Sequence, residues 1–200
     1  MKSNIIILNG GEIMLSVKTR QEYLKKLGFY EGEIDGVEGK QTKDAYKLLQ
    51  MTYFAKSRDI TGKYNKDTDI LLMNARRVQL RAKNFNLTEF ECNCKGKYCT
   101  GYPTYLDRQL LENLQRLRDF YKKPITITSG LRCQGYNDSI LGSIKKSKHT
   151  KGKAVDIAGE MTNTAEKRKS LKAKWYRLPN ANYTYSDTPN MGTSVHIDVK

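Results

Sequence analysis

The chain has 200 residues, with 36 Lys and Arg against 21 Asp and Glu, a formal net charge of +15. That length suits one large domain or two small ones, and a 38% apolar content supports only modest cores. So positive a balance predicts an anionic partner, whether nucleic acid, a membrane face or an acidic polymer. The two histidines confine any imidazole chemistry to two places. No stretch reaches the roughly 18 apolar residues of a membrane helix. The run Ile5-Ile6-Ile7-Leu8 is interrupted at Gly10-Gly11-Glu12, short of the roughly 7 to 15 residues of a signal peptide's apolar core. The expectation is therefore no general secretory export. Four cysteines are too few for a disulfide scaffold.

Residues 1–14 are read as an N-terminal extension with no assigned function. Val17, Leu24, Leu27 and Phe29 predict an amphipathic helix closing at Gly28. A turn segment follows, Gly32-Glu33-Ile34-Asp35-Gly36-Val37-Glu38-Gly39. Thr42 is then expected as an N-cap, with Ala45, Leu48 and Leu49 as the apolar face of a second helix. Asp59 to Lys66 reads as another turn, and Thr68 to Leu80 as a third helix. Residues 1–75 carry 12 basic and 10 acidic side chains, whereas residues 76–200 carry 24 and 11. That step places a boundary near Asn74–Arg77, with Arg76 to Phe85 as helix end and linker. The expected domains are 15–78 and 84–200.

In the second part, Leu106, Leu110, Leu111, Leu114, Leu117 and Phe120 recur at helical spacing, with Pro124 beyond them. Ile125-Thr126-Ile127-Thr128, Ala154-Val155-Asp156-Ile157 and Val195-His196-Ile197-Asp198-Val199 read as strands. The fold class expected is α+β: a small three-helix bundle, then an α+β domain with a mainly antiparallel sheet. The run from Glu166 to Lys174 reads as a solvated helix face. Tyr176, Tyr183 and Tyr185 read as packing or as the wall of a cleft.

Both histidines sit close to carboxylates, in Ser147-x-His149-x-x-Gly152-x-Ala154-x-Asp156 and in His196-x-Asp198. Two imidazoles and one carboxylate form a catalytic zinc set that keeps one position open. Gly152 permits a tight turn between His149 and the strand carrying Asp156. Residues two apart on a strand share a face, so Ala154 leaves room beside Asp156, and His196 and Asp198 point the same way. Cys92, Cys94, Cys99 and Cys133 are left open between a second metal, a disulfide and free thiols, since Cys-x-Cys departs from the usual ligand spacing.

Residues 15–75, through Leu24-x-x-Leu27-Gly28-Phe29-Tyr30-x-Gly32-x-Ile34-Asp35-Gly36-x-x-Gly39-x-x-Thr42-x-x-Ala45, resemble the three-helix peptidoglycan-binding domain of wall hydrolases. Leu49-Gln50 stands where that family has Phe-Gln. Residues 84–200 resemble the M15 peptidases, the zinc D-alanyl-D-alanine carboxypeptidases and phage endolysin peptidases. The order Ser129-Gly130-Leu131-Arg132, Asn137, the His149 pattern and Val195-His196-Ile197-Asp198 carries this resemblance. It implies that His149, Asp156 and His196 hold Zn2+, and that Arg132 grips a stem-peptide carboxylate. Ser147 and Asn137 join Arg132 as expected substrate contacts. Many relatives carry an acidic general base three residues before the last histidine, where this chain has Thr193. Asp198 is then the acidic candidate, either as base or as an orienter of a ligand imidazole. Asp187 and Glu160 are weaker outsiders.

The resemblance implies a zinc peptidoglycan peptidase of endolysin type, with the L-Ala-D-Glu bond of the stem peptide favoured. A D-Ala-D-Ala carboxypeptidase and a non-catalytic zinc-binding wall adhesin stand as alternatives. The expected partner is bacterial peptidoglycan. No nucleic-acid-binding motif is present to make use of the charge. A monomer is expected, made in the host cytoplasm and acting on the wall after release.

Overall fold

The computed structural model describes residues 5–7, 13–54 and 56–200. Residues 1–4 and 8–12 of the expected extension, and residue 55, lie outside the described residues. The chain divides into two compact units, 1–76 and 77–200. No helix among the described residues is long and apolar enough to cross a membrane.

The first unit opens with a short antiparallel pair, β1 (Ile5–Ile7) and β2 (Ile13–Leu15). Three helices follow: α1 (Val17–Lys26), α2 (Lys40–Tyr53) and α3 (Lys66–Arg81), the last running past the division at residue 76. Ser16 caps α1 by accepting from the Thr19 amide, and α1 closes at Leu27, one residue before Gly28. α2 starts at Lys40 behind Gly39, earlier than the expected cap. Thr42 therefore caps nothing. It is buried inside the helix, where its hydroxyl meets Val37 O and the Gln21 amide.

Two buried glutamines hold the turns of this unit. Gln21 donates to Asp35 Oδ1 at 2.7 Å and to Val37 O at 3.1 Å, and accepts from the Gly36 amide at 2.8 Å. Gln50 does the same work for the later turn, donating to Lys63 O and accepting from the amides of Thr61 and Gly62. A buried amide side chain can satisfy both a donor and an acceptor of a turn at once. Leu49 is fully buried, whereas Leu48, expected beside it in the core, is 49% exposed. Leu48 instead helps line a groove of about 380 Å³ with Phe29, Tyr30, Gln41 and Asp44.

The second unit carries α4 (Arg108–Tyr121), capped by Asp107, whose carboxylate accepts from the amides of Gln109 and Leu110. Leu110, Leu111, Leu114 and Leu117 are buried, and Phe120 is not. The ammonium of Lys174 covers the Phe120 ring at 3.6 Å. A left-handed Lys122 (φ 53°) ends the helix. The rest comprises β3 (Ile125–Ser129), α5 (Gln134–Ser139), β4 (Ala154–Gly159), α6 (Ala165–Trp175), β5 (Ala181–Ser186) and β6 (Val195–Val199).

The four strands β3 to β6 form one antiparallel sheet in the order β3-β4-β6-β5. Its register sets the chemistry: Asp156 lies opposite His196, and His196 lies opposite Tyr185 on the other neighbour. One row further, Ala154 lies opposite Asp198. Paired residues on adjacent strands share a face, so these side chains occupy one side of the sheet. Val155, Ile157, Val195, Ile197 and Val199 alternate with them and are buried.

Candidate active site

His149 does not lie on the sheet. It sits in a single helical turn, Lys148–Lys151, capped by Ser147, whose hydroxyl accepts from the His149 amide. The turn ends at Gly152 in a left-handed conformation (φ 66°), and the Arg132 amide donates to His149 O at 3.3 Å. Gly152 has a second requirement. A Cβ there would stand 2.0 Å from Tyr105 O, so only glycine fits both the torsion and the space.

Acceptors surround both imidazoles. His149 Nδ1 lies 2.8 Å from Gly130 O, a carbonyl that only accepts, so that nitrogen carries the proton. His196 faces a carboxylate from each ring nitrogen, Asp198 from Nε2 at 3.4 Å and Asp156 from Nδ1 at 2.8 Å. His149 Nε2 and His196 Nδ1 lie 3.2 Å apart. Asp156 Oδ1 stands 2.8 Å from His196 Nδ1 and 3.4 Å from His149 Nε2. Three possible ligand atoms thus converge, all within 4.8 Å of one another. Such an arrangement suits a cation. Two nitrogens and one oxygen are the donors a divalent transition metal takes, and each ring is held from behind by an acceptor.

Electrostatics agree with the geometry. Burial pushes the Asp156 carboxyl up, but hydrogen bonds and charge from His149 and His196 outweigh it and hold the group below the usual carboxylate range. Burial pushes His196 down, yet Asp156 and Asp198 more than reverse this and raise it. Asp198 is likewise pushed up by burial and brought down further by His196, the Tyr183 amide and Asn182.

These groups border a cleft of about 310 Å³ lined by Arg132, Ser147, Lys148, His149, Tyr183, Tyr185, His196 and Asp198, among others. The Tyr185 ring stacks on His196 at 4.6 Å with a 23° tilt, and Tyr183 packs beside Tyr185 at 5.7 Å. Arg132 is half-buried. Its Nη1 reaches Asn137 Oδ1 at 3.4 Å and its Nη2 reaches Ser129 Oγ at 3.2 Å, while its buried Nε has no hydrogen-bond partner. Asn137 is fully buried and also donates to Ile144 O. It braces Arg132 and the loop after α5, and does not stand in the cleft as a substrate contact. Asp187 pairs with Arg168 at 2.5 Å, and Glu160 with Lys123 at 3.2 Å, so each outsider is committed elsewhere. Sequence reasoning missed Asn182, which donates to Asp198 at 2.7 Å, and the carbonyl of Gly130.

Residues 83–198 match the family model described as Peptidase M15. The chain belongs to the M15 peptidase family. Residues 15–68 match a putative peptidoglycan binding domain. No curated protein matches the chain. The M15 match spans every residue of the converging set, and the second match spans the groove around Phe29 and Leu48. The chain is thus a peptidase with peptidoglycan as its partner, and its donor set is a candidate site for the metal on which such peptidases typically depend.

Proposed function

We propose that this M15 peptidase is a zinc endopeptidase of endolysin type that cuts the stem peptide of bacterial walls between L-Ala and D-Glu. The observation that carries the reading is the convergence of His149 Nε2, His196 Nδ1 and Asp156 Oδ1, with both histidines lining the cleft. Zinc held by these three residues would supply Lewis acidity towards the scissile carbonyl. The chain's own groups position the substrate. Arg132 lines the cleft and offers its guanidinium Nη groups to a carboxylate of the stem, a match to its planar fork. In the favoured reading that is the free α-carboxylate of D-Glu. Burial raises the Tyr185 phenol, so it keeps its proton at neutral pH and can donate a hydrogen bond at the cleft wall.

Asp198 acts in this reading as a positioning residue that holds His196 by Nε2. It is 4% exposed and already accepts from Asn182 and the Tyr183 amide. Asp198→Asn is expected to weaken zinc binding about tenfold to a hundredfold, as loss of such a supporting carboxylate does. Competition with a chromogenic chelator measures this. Unchanged zinc affinity with lost hydrolysis would make Asp198 the base instead.

The groove of the first unit is proposed to bind wall. Leu48→Glu replaces an apolar wall of the groove with a second carboxylate beside Asp44, and is expected to weaken co-sedimentation with purified walls about tenfold, near 1.4 kcal/mol. Cleavage of soluble muropeptides should not change. Equal sedimentation of variant and parent would remove the groove from the proposal.

Muropeptides incubated with the protein and read by mass spectrometry test the function. Release of stems beginning at D-Glu is the expected product. Loss of a single terminal D-Ala would mean a carboxypeptidase, in which Arg132 grips the terminal carboxylate. Tight wall binding without any product would mean an adhesin, a reading that Thr193 keeps in view.

A further inference from the structure

Four thiols that the hydrolysis does not use stand together in the second unit. Cys92, Cys94, Cys99 and Cys133 place their sulfurs all within 4.8 Å of one another, and Cys94 Sγ lies 3.6 Å from Cys99 Sγ. All four are unbridged, three of them buried and Cys99 half-buried. Around a tetrahedral zinc, with Zn–S of about 2.3 Å, neighbouring sulfurs lie about 3.8 Å apart. The cluster is already close to that spacing.

The backbone shows how an unusual Cys-x-Cys pair converges. The chain reverses through Lys95 and Gly96, at φ of 50° and 78°. The Lys95 amide donates to Cys92 O and the Lys97 amide to Cys94 O. This tight double turn brings Cys99 back onto Cys94. Cys133, distant in sequence, closes the fourth corner from the start of α5.

Three backbone amides point at the sulfurs. Cys133 N donates to Cys92 Sγ, Gly101 N to Cys99 Sγ and Tyr136 N to Cys133 Sγ, each at 3.4 Å. Such donors favour thiolate over thiol. A group of small apolar thiols packed for volume alone has no need of these amides.

We propose that Cys92, Cys94, Cys99 and Cys133 bind one structural zinc ion in a closed all-thiolate site, separate from the His149 centre. Four soft ligands select zinc over hard cations, and a filled tetrahedron leaves no position for substrate. The ion fastens the loop 92–101 to the turn after β3. That turn supplies the Gly130 carbonyl that orients His149, and the Arg132 side chain. Its neighbour Leu131 donates its amide to Phe90 O, two residues before Cys92.

The test uses the full chain purified under reducing conditions, with zinc counted by plasma emission spectrometry. Wild type is expected to hold two zinc ions per chain. The double variant His149→Ala/His196→Ala is expected to keep one, and Cys94→Ser/Cys99→Ser to lose one. Cobalt loaded into the double histidine variant should show the near-ultraviolet thiolate charge-transfer band and strong visible bands of tetrahedral cobalt. This measurement leaves all four cysteines in place and does not depend on the cysteine variant folding. A double histidine variant that takes up no metal, or that shows no thiolate band with cobalt, overturns the proposal. So does finding the four cysteines paired as disulfides in protein purified without reductant. Zinc retained on the thiolates while muropeptides stay uncut would count against the proposed hydrolysis alone.

Discussion

Replacing His149 with alanine is expected to abolish hydrolysis of purified walls. The loss should reach about a thousandfold or more, since removing metal activation costs several kcal/mol of transition-state stabilisation. His149 is 2% exposed and gives the site one of its two nitrogens. Its removal also frees Gly130 O from its partner. Metal content should fall with activity, while sedimentation with walls through residues 15–68 should stay at the parental level. Treating wild type with a strong chelator should reproduce the loss, and added zinc should restore it. Full activity in the metal-stripped protein would refute the proposed chemistry. Activity retained in the variant with zinc still at the site would show that the imidazole is no ligand.

Gly152→Ala is expected to have the largest effect on folding of any single methyl added near the site. The added Cβ meets Tyr105 O at 2.0 Å and also forces an alanine to φ 66°. Left-handed strain alone costs about 1 to 3 kcal/mol, and the clash is with backbone, which cannot rotate away. The amide of Asp107, whose carboxylate caps α4, donates to Gly152 O, so the displacement spreads into that helix. A loss of roughly 4 kcal/mol is expected, readable as a midpoint shift in urea denaturation. Retained stability would mean that the Tyr105 segment moves aside at little cost. Gly142, with nothing within 4 Å of its Cβ, is the matched control for left-handed strain alone.

Much of the architecture was legible because apolar spacing reports which face is buried. The leucines of α4 and the strands β4 and β6 follow that rule. It fails where one side chain covers another, as Lys174 covers Phe120, or where an exposed leucine lines a groove, as Leu48 does. β5 went unread because only Thr184 of Ala181–Ser186 is buried. Its signal was the alternation Tyr183-Thr184-Tyr185. The residues of the site were visible as types, but their placement depends on register. Nothing in His196-x-Asp198 says which ring nitrogen faces which carboxylate. That follows from Asp156 lying across from His196 and from Asn182 holding Asp198 on the far side. The Gly130 carbonyl could not be foreseen, because a backbone oxygen has no residue signature. Thr42 misled for the opposite reason: a good capping residue was drawn inward by Gln21 and Val37.

The strand order has a consequence for how the peptidase domain is born. β6 is the last of the four strands in sequence, yet it lies between β4 and β5. Until it arrives, β4 and β5 have no common partner and each leaves an open edge, the kind of surface that pairs promiscuously. The chain must hold two incomplete halves apart and then admit a strand between them, a late and non-local step that slows folding. The two histidines, 47 residues apart, meet only in that step. An emerging chain therefore carries its His149 turn without a finished centre, and peptidase chemistry switches on with the closing of the sheet.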